Sequence, residues 1–568
     1  MPPLPRVLRR PRLTDALTAA AAMAVVLVSV PTVAVADEPA GRTVVGELVQ
    51  AWPEEQHGPE QHGSVEAAEA PLSWVETAEG EAVRIQTEDV ATVTPGSTVE
   101  LTVGGTVDDA AAAEGYDAAV EVLDTDVSRL PAEDEVPGAG PTNEVTVVMV
   151  APSRSKPDGT SLQTVVDLVD GPVADFWGEE TDGAISVDVT ASHDWLVTRA
   201  GCKRPAQLWN EVATKVGFVD GPGKHLVVYL PKNLTSCDYA LGEVGTAPAS
   251  GGRVFVRAAL ASVIAHELGH NFGLGHSSGM SCERGTDRGT GGDCRTDTYR
   301  DYYDVMGASW EELGSLNAAQ ASALGTLPDD AVRTLTPAAG EATVTLAPLS
   351  GRAGTRAVRL ADGRGGQLWL ELRTPRGRDA WLGETGNRFD LEAGVLVRRA
   401  GTWPDTSLLL DGSPGGGEDD LQAALPVGEP VTLAGGFTVT VAEAGISGAT
   451  LVVRNDPATT TAESAEPSAV RPETLPLQAC TDCTTAATGE APAVGSTVAE
   501  ESLPATDVVA TSPVAEPRVA ADVEPAEQQV ATASSRLAAT PIAVPIAGAL
   551  LVGTGYLLLR RLRDRRIR

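Results

Sequence analysis

The chain has 568 residues, with 78 acidic against 42 basic side chains and a formal net charge of −36 at pH 7. No basic patch is visible outside its two ends, which argues against nucleic acid as a partner, because a phosphate-binding surface needs one. The length allows roughly two to four domains, and an aromatic content of 4% beside 59 Gly and 39 Pro means that part of it should be unpacked linker.

Arg6, Arg9, Arg10 and Arg12 precede an apolar stretch from Ala16 to Val30, and Ala34-Val35-Ala36 stands before Asp37. This is the pattern of a secretory signal peptide over residues 1–36, cut after Ala36. Residues 37–140 read as an acidic leader followed by a small β-rich unit, either an accessory domain or a removable propeptide. The EQHG repeat at Glu55–Gly58 and Glu60–Gly63 could bind a metal weakly, but its composition suits a polar linker better. Alternation between Ala82 and Val103 reads as two or three strands.

Residues 141–330 alternate strands and helices, which predicts an α/β domain. The strands expected are Glu144–Val150, Ala184–Val189, His225–Leu230 and Arg253–Val256. The helices expected are Leu162–Trp177, Pro205–Val216, Arg257–Phe272 and Leu316–Leu324. Residues 331–455 turn to β only, with Ala342–Leu346, Ala357–Leu360, Gly366–Leu372, Gly394–Arg398, Ser407–Leu410 and Phe437–Val441 separated by Gly, Pro and Asp turns, and this predicts an all-β, sandwich-like domain. Residues 456–540 hold almost no aromatics and should form a disordered stalk. The eighteen uncharged residues Ile542–Leu559 precede Arg560 and Arg561. They predict a transmembrane helix at 541–559 and a basic cytoplasmic tail at 560–568. Leu537–Pro541 resembles a wall-sorting signal of Gram-positive surface proteins, with Pro541 where the junction glycine should be.

Six cysteines in an exported chain point to disulfides. Proximity in sequence suggests Cys202 with Cys237 and Cys282 with Cys294, and Cys480 with Cys483 as a small local bridge or free thiols.

The run HELGHNFGLGH carries the chemistry. His266 and His270 are four apart and share a helix face, so both imidazoles can meet one ion. Gly273 lets the chain leave the helix and return His276 as a third ligand. Three protein ligands leave tetrahedral zinc one open position, the arrangement of a catalytic site, and Glu267 is placed to hold a water beside it. The carboxylates of Asp287, Asp293, Asp297, Asp301 and Asp304 could bind calcium, although a solvated loop braced by a Cys282–Cys294 bridge is the simpler expectation.

With Asp304-Val305-Met306-Gly307 following thirty residues after His276, this run resembles the metzincin zinc endopeptidases. Cys282, Cys294, Tyr302, Tyr303 and the downstream Leu368–Arg373 and Gly394–Arg398 segments are most similar to its gametolysin-like branch. The resemblance covers about 145–455. It implies a zinc helix in a twisted sheet, Met306 as an apolar floor under the histidines, and Arg253–Val256 as the edge strand that pairs with an extended substrate. Two accessories of the family are missing. Ala308 stands where some members carry a tyrosine, leaving Tyr302 or Tyr303 as the nearest substitutes, and residues 37–201 contain no cysteine to silence the metal.

The expected function is that of an extracellular, surface-anchored zinc endopeptidase in which His266, His270 and His276 hold Zn2+ and Glu267 is the general base acting on a zinc-bound water. Its partners would be a protein or peptide substrate and, through the C-terminal helix, the membrane. The alternative is a catalytically silent metzincin-type adhesin, and a third possibility is an amidase acting on wall peptides. Intact Glu267 favours the enzyme, because a binding protein has no use for the base.

Overall fold

A computed structural model describes residues 41–455, except 56–70, 132–142, 154, 288–293, 310–311, 338–339, 363–364, 386 and 416–419. The expected signal peptide, the EQHG repeat from residue 56 onward, Cys480 and Cys483, the stalk, the sorting-like segment and the span at 541–559 lie outside these residues.

The chain first builds a closed five-stranded barrel from β1 (Arg42–Glu54), β2 (Leu72–Thr77), β3 (Ala82–Ile85), β4 (Thr98–Val107) and β5 (Ala119–Arg129). Their order is β2-β3-β5-β4-β1, and a further β1–β2 pairing closes the ring. Val44, Leu48, Val75, Val83, Ile85, Val99 and Leu101 fill it, as alternation along each strand requires. A short helix, α1 (Ala110–Ala113), links β4 to β5. The thirteen residues of β1 outrun the barrel. Its last four, Ala51–Glu54, are all buried and pair with a strand of the next unit.

That unit adds β6 (Asn143–Pro152), β7 (Val187–Thr198), β8 (Lys224–Tyr229), β9 (Ala240–Glu243) and β10 (Gly252–Val256) in the order β1-β9-β10-β8-β6-β7. Pairs β6–β7, β6–β8 and β8–β10 are parallel, whereas β9 is antiparallel to both β10 and β1. Val145, Val147 and Met149 face α2 (Leu162–Leu168), α3 (Ala174–Glu180) and α5 (Ala261–Asn271). Val148 and Val150 face α4 (Pro205–Val216) on the other side, as the two-residue period of a strand dictates.

The remaining described residues form two more sheets. Seven strands, β11 (His276–Cys282), β12 (Cys294–Asp297), β13 (Val332–Leu335), β15 (Ala357–Ala361), β16 (Gln367–Arg373), β17 (Gly394–Ala400) and β18 (Asp405–Leu409), lie in the order β12-β11-β18-β17-β16-β15-β13. Four others, β14 (Glu341–Leu346), β19 (Pro430–Leu433), β20 (Phe437–Gly445) and β21 (Gly448–Asn455), run β14-β21-β20-β19. The two share a core that includes Val358, Leu370, Val397, Phe437 and Val453.

The expected fold class is therefore corrected. Strand outweighs helix, a barrel is built into the first sheet, and the seven-stranded sheet runs across residue 331, since β11 and β12 belong with β13 and β15–β18. No helix among the described residues is long and apolar enough to cross a membrane. Single elements differ for local reasons. Pro172 and Gly171 break the expected Leu162–Trp177 helix into α2, a π turn and α3, because proline removes a donor. The expected helix from Arg257 starts at Ala261, because the Arg257 amide still donates to the Tyr239 carbonyl (2.9 Å) in strand fashion. The helix expected over Leu316–Leu324 shortens to α6 (Ala318–Ala323), capped by Asn317, whose side-chain oxygen accepts from the Gln320 amide. Both expected bridges, Cys202–Cys237 and Cys282–Cys294, are formed.

A fully buried ion network ties the second sheet to the loop after β12. Arg398 donates to Glu371 (2.8 Å) and to Asp301, and Arg373 donates to Glu371 (2.9 Å) and Asp379 (3.0 Å). Removing one member strands the others without water, so Arg398→Ala should lower stability by about 3–5 kcal/mol; a loss below about 1 kcal/mol in urea denaturation would contradict the burial described. Glu180, at the end of α3, is a separate case. Burial pushes its carboxyl up to about 7, with the Asp379 charge adding to the effect and Arg352, Arg378 and the Leu316 amide opposing it. A carboxyl raised above its unfolded value costs nothing at pH 4; the penalty sets in as pH passes the ordinary carboxyl value and is complete above about 7. Glu180→Gln should thus match the parent at pH 4 and exceed it at pH 8 by something on the order of 3 kcal/mol, measured by denaturation at both values.

Candidate metal centre

The centre is assembled from three places in the chain. Helix α5 presents His266 and His270 one turn apart, with ring centroids 4.8 Å from each other. Gly273, at φ 92°, takes the left-handed conformation that ends the helix, and its amide bonds back to the His270 carbonyl (2.9 Å). Three residues on, His276 opens β11, its amide held by the Pro404 carbonyl (2.8 Å) and its ring 5.0 Å from that of His270. The third histidine is thus a strand residue, positioned by a sheet whose neighbouring strands come from 394–409.

The imidazoles are aimed. His266 Nδ1 donates to the Val305 carbonyl (2.7 Å) and His270 Nδ1 to the Leu274 carbonyl (2.8 Å). A carbonyl can only accept, so both rings carry their proton on Nδ1 and turn the Nε2 lone pair inward. All three Nε2 atoms meet one carboxylate oxygen, Glu54 Oε1, at 3.3 Å from His266, 3.3 Å from His270 and 3.1 Å from His276. Glu54, His266, His270 and His276 form a buried group whose ligand atoms lie within 4.8 Å of one another, and such a group could hold a metal ion.

Electrostatics and packing fit that donor set. Burial alone would raise the Glu54 carboxyl, but electrostatic interaction with the His266 and His276 rings and hydrogen bonds to His266 and His270 hold it well below the usual range. Burial drives His276 down to about 3 and also lowers His270, so both are neutral ligands at neutral pH. Glu267 is fully buried with neither carboxylate oxygen hydrogen-bonded. Burial first, and then the Glu54 charge, push it well above the ordinary carboxyl value. A buried carboxylate lacking partners is costly unless it has a task. Met306 lies against the helix between the two histidines: a Cβ on Gly269 would stand 2.3 Å from its sulfur, so only glycine permits the contact.

Some expected residues stand elsewhere. Tyr302 stacks on Phe389 and Tyr303 donates to the Glu392 carbonyl (2.9 Å), both away from the histidines. Tyr299 is the tyrosine at the site, its ring 4.1 Å from His276, and its hydroxyl accepts from Trp52 Nε1 (3.0 Å). Strand β10, expected as the substrate-pairing edge, lies between β9 and β8 with no open side, and its Arg253 is committed to Glu243 and Glu76. The acidic loop serves arginines and amides rather than a cation. Asp287 pairs with Arg399, Asp297 with Arg295 and Arg300, and Asp301 with Arg398, while Asp304 accepts from the Met306 and Asn317 amides. Asp293 is outside the described residues.

Glu54, Trp52 and Tyr299 were not found from the sequence. The one available signal was Ala51-Trp52-Pro53-Glu54, an aromatic beside a proline and a carboxylate in an aromatic-poor leader. No protein-family model matches the chain, and no curated protein matches it.

The purified chain should take up about one equivalent of divalent metal by analogy with closed His/carboxylate sites. His270→Ala should reduce the metal retained after dialysis at least about ten-fold, as expected for loss of a direct ligand. Equal metal content in the two proteins, measured by mass spectrometry, would remove these residues as ligands.

Proposed function

We propose that the chain is a zinc-dependent endopeptidase that hydrolyses protein substrates outside the cytoplasm. The observation that carries this reading is the convergence of three histidine Nε2 atoms beside Glu267, a buried carboxylate without a hydrogen-bond partner. The resemblance of HELGHNFGLGH and Met306 to the metzincins supports it, and the two disulfides accord with an oxidising compartment.

His266, His270 and His276 would hold the metal, three nitrogen ligands being a common catalytic set for zinc. Zinc there supplies Lewis acidity, polarising a carbonyl and making water a better nucleophile at neutral pH. Glu267 takes the proton from the attacking water and delivers it to the departing amine, and its raised proton affinity suits both halves of that shuttle. Tyr299, whose ring lies beside His276, carries a hydroxyl that would donate to charge developing on the substrate oxygen. Strand β9, whose Gly242 and Ala240 run past the site, would offer an extended peptide the backbone groups that β1 now pairs with.

Because Glu54 stands at the point of convergence, the assay belongs in a Glu54→Ala background. That zinc-loaded protein should cleave casein, and adding Glu267→Gln should lower the rate at least about 10²-fold, the usual worth of a general base, without releasing zinc. Cleavage unchanged by Glu267→Gln would refute the assignment of the base. Zinc binding without cleavage of any protein by either variant would favour the adhesin.

A further inference from the structure

We propose that the N-terminal barrel is an intramolecular inhibitor of this site: the end of β1 lies along β9 in place of substrate, and Glu54 fills the coordination position that catalysis requires to be open. The inference rests on the metallopeptidase reading above and concerns the regulation of the same site.

The first argument is backbone pairing. Ala51, Trp52, Pro53 and Glu54 pair antiparallel with Glu243, Gly242, Leu241 and Ala240. The other side of β9 belongs to β10. The side taken by β1 is thus the one free edge that the central sheet could give a substrate near the histidines, and edge pairing is how extended peptides are recognised.

The second argument is ligand count. Three histidines leave a position for water or substrate, whereas three histidines and a carboxylate close a tetrahedral site. Glu54 Oε1 touches all three Nε2 atoms, and no other carboxylate among the described residues joins the group. A closed, structural site would have no use for Glu267, yet Glu267 is kept beside it, buried and unbonded. The machinery is complete and covered.

The third argument is how the cover avoids being cut. It reaches the histidines with a side chain and not with a peptide carbonyl, so no scissile bond is presented to Glu267. Pro53 follows the buried Trp52, and its tertiary amide has no N–H to complete a substrate-like ladder. Trp52 packs edge-on against His276 at 4.7 Å, stands 6.0 Å from Trp403, and engages the Tyr299 hydroxyl. One short segment therefore takes the fourth ligand position, the edge strand and the Tyr299 hydroxyl together.

The test uses the full-length, zinc-loaded chain and its Glu54→Ala and Glu54→Gln variants, the second keeping the shape of the side chain should the first fail to fold. Zinc content, the Kd of acetohydroxamate by calorimetry and casein cleavage are measured on each. Both variants should keep one zinc, bind acetohydroxamate at least about ten-fold more tightly, as a freed ligand position allows, and cleave casein at least ten-fold faster. Zinc retained with no gain in acetohydroxamate affinity would show that Glu54 does not hold the position. Loss of zinc from both variants would make Glu54 a resident ligand. Either result overturns the inhibitor. A gain in acetohydroxamate affinity with no casein cleavage by any form would uphold the closing contact and overturn the endopeptidase reading instead.

Discussion

The geometry of the metal centre depends on the buried pairing of Arg398 with Asp301 and Glu371. Asp301 belongs to the loop that carries Tyr299, Val305 and Met306, and the loop in turn supplies the carbonyl that orients His266 and the sulfur that seats α5. Asp301 also accepts from the hydroxyl of Ser277 (2.6 Å), the residue after the third histidine. Glu371 holds the first amide of α6 (2.8 Å). One guanidinium thus locks helix, loop and strand to a common frame. Such a group is weak evidence for net stability but strong for register, because any slip leaves an unpaired charge in a dry interior.

This explains why the C-terminal β region is not an appended module. The third histidine lies on β11, and β11 is completed on one side by β18, more than a hundred residues later, with His276 aligned to Asp405. The short β11–β12 pair, braced by its disulfide, would be a marginal hairpin alone. Within a seven-stranded sheet it becomes a rigid mount. The helix that carries His266 and His270 is local, but the third histidine is held by non-local pairing.

The sequence made legible what local spacing encodes. His266, His270, the turn at Gly273 and the return at His276 lie within eleven residues, and one helical face plus one left-handed glycine places them. Met306 was legible through family resemblance. The two near-neighbour disulfides were legible from proximity. Glu54 was not, because it meets histidines more than two hundred residues away through a strand pairing, and an acidic leader offers many carboxylates. Tyr299 was passed over for Tyr302 and Tyr303 because only the positive φ at Tyr299 turns it toward His276. The fold class failed for a related reason. Strand runs at 42–54, 276–282 and 294–297 join sheets whose other members lie far along the chain, and no single-segment periodicity reports that.

The double membership of β1 has a further consequence. Residues 42–51 close the barrel against β4 and β2, and only the arm Ala51–Glu54 reaches β9, so the barrel could withdraw as an intact body once the arm, the Trp74–Trp209 contact and the Glu76–Arg253 pair let go. While the chain is whole, that arm sees its groove at the effective concentration set by its tether, typically millimolar for a short flexible link. Once the tether is cut, the same contacts become an ordinary bimolecular equilibrium, and dilution alone favours release. The strength of the arm's grip then need only be modest: a contact too weak to survive as a separate inhibitor can still keep the intact chain closed.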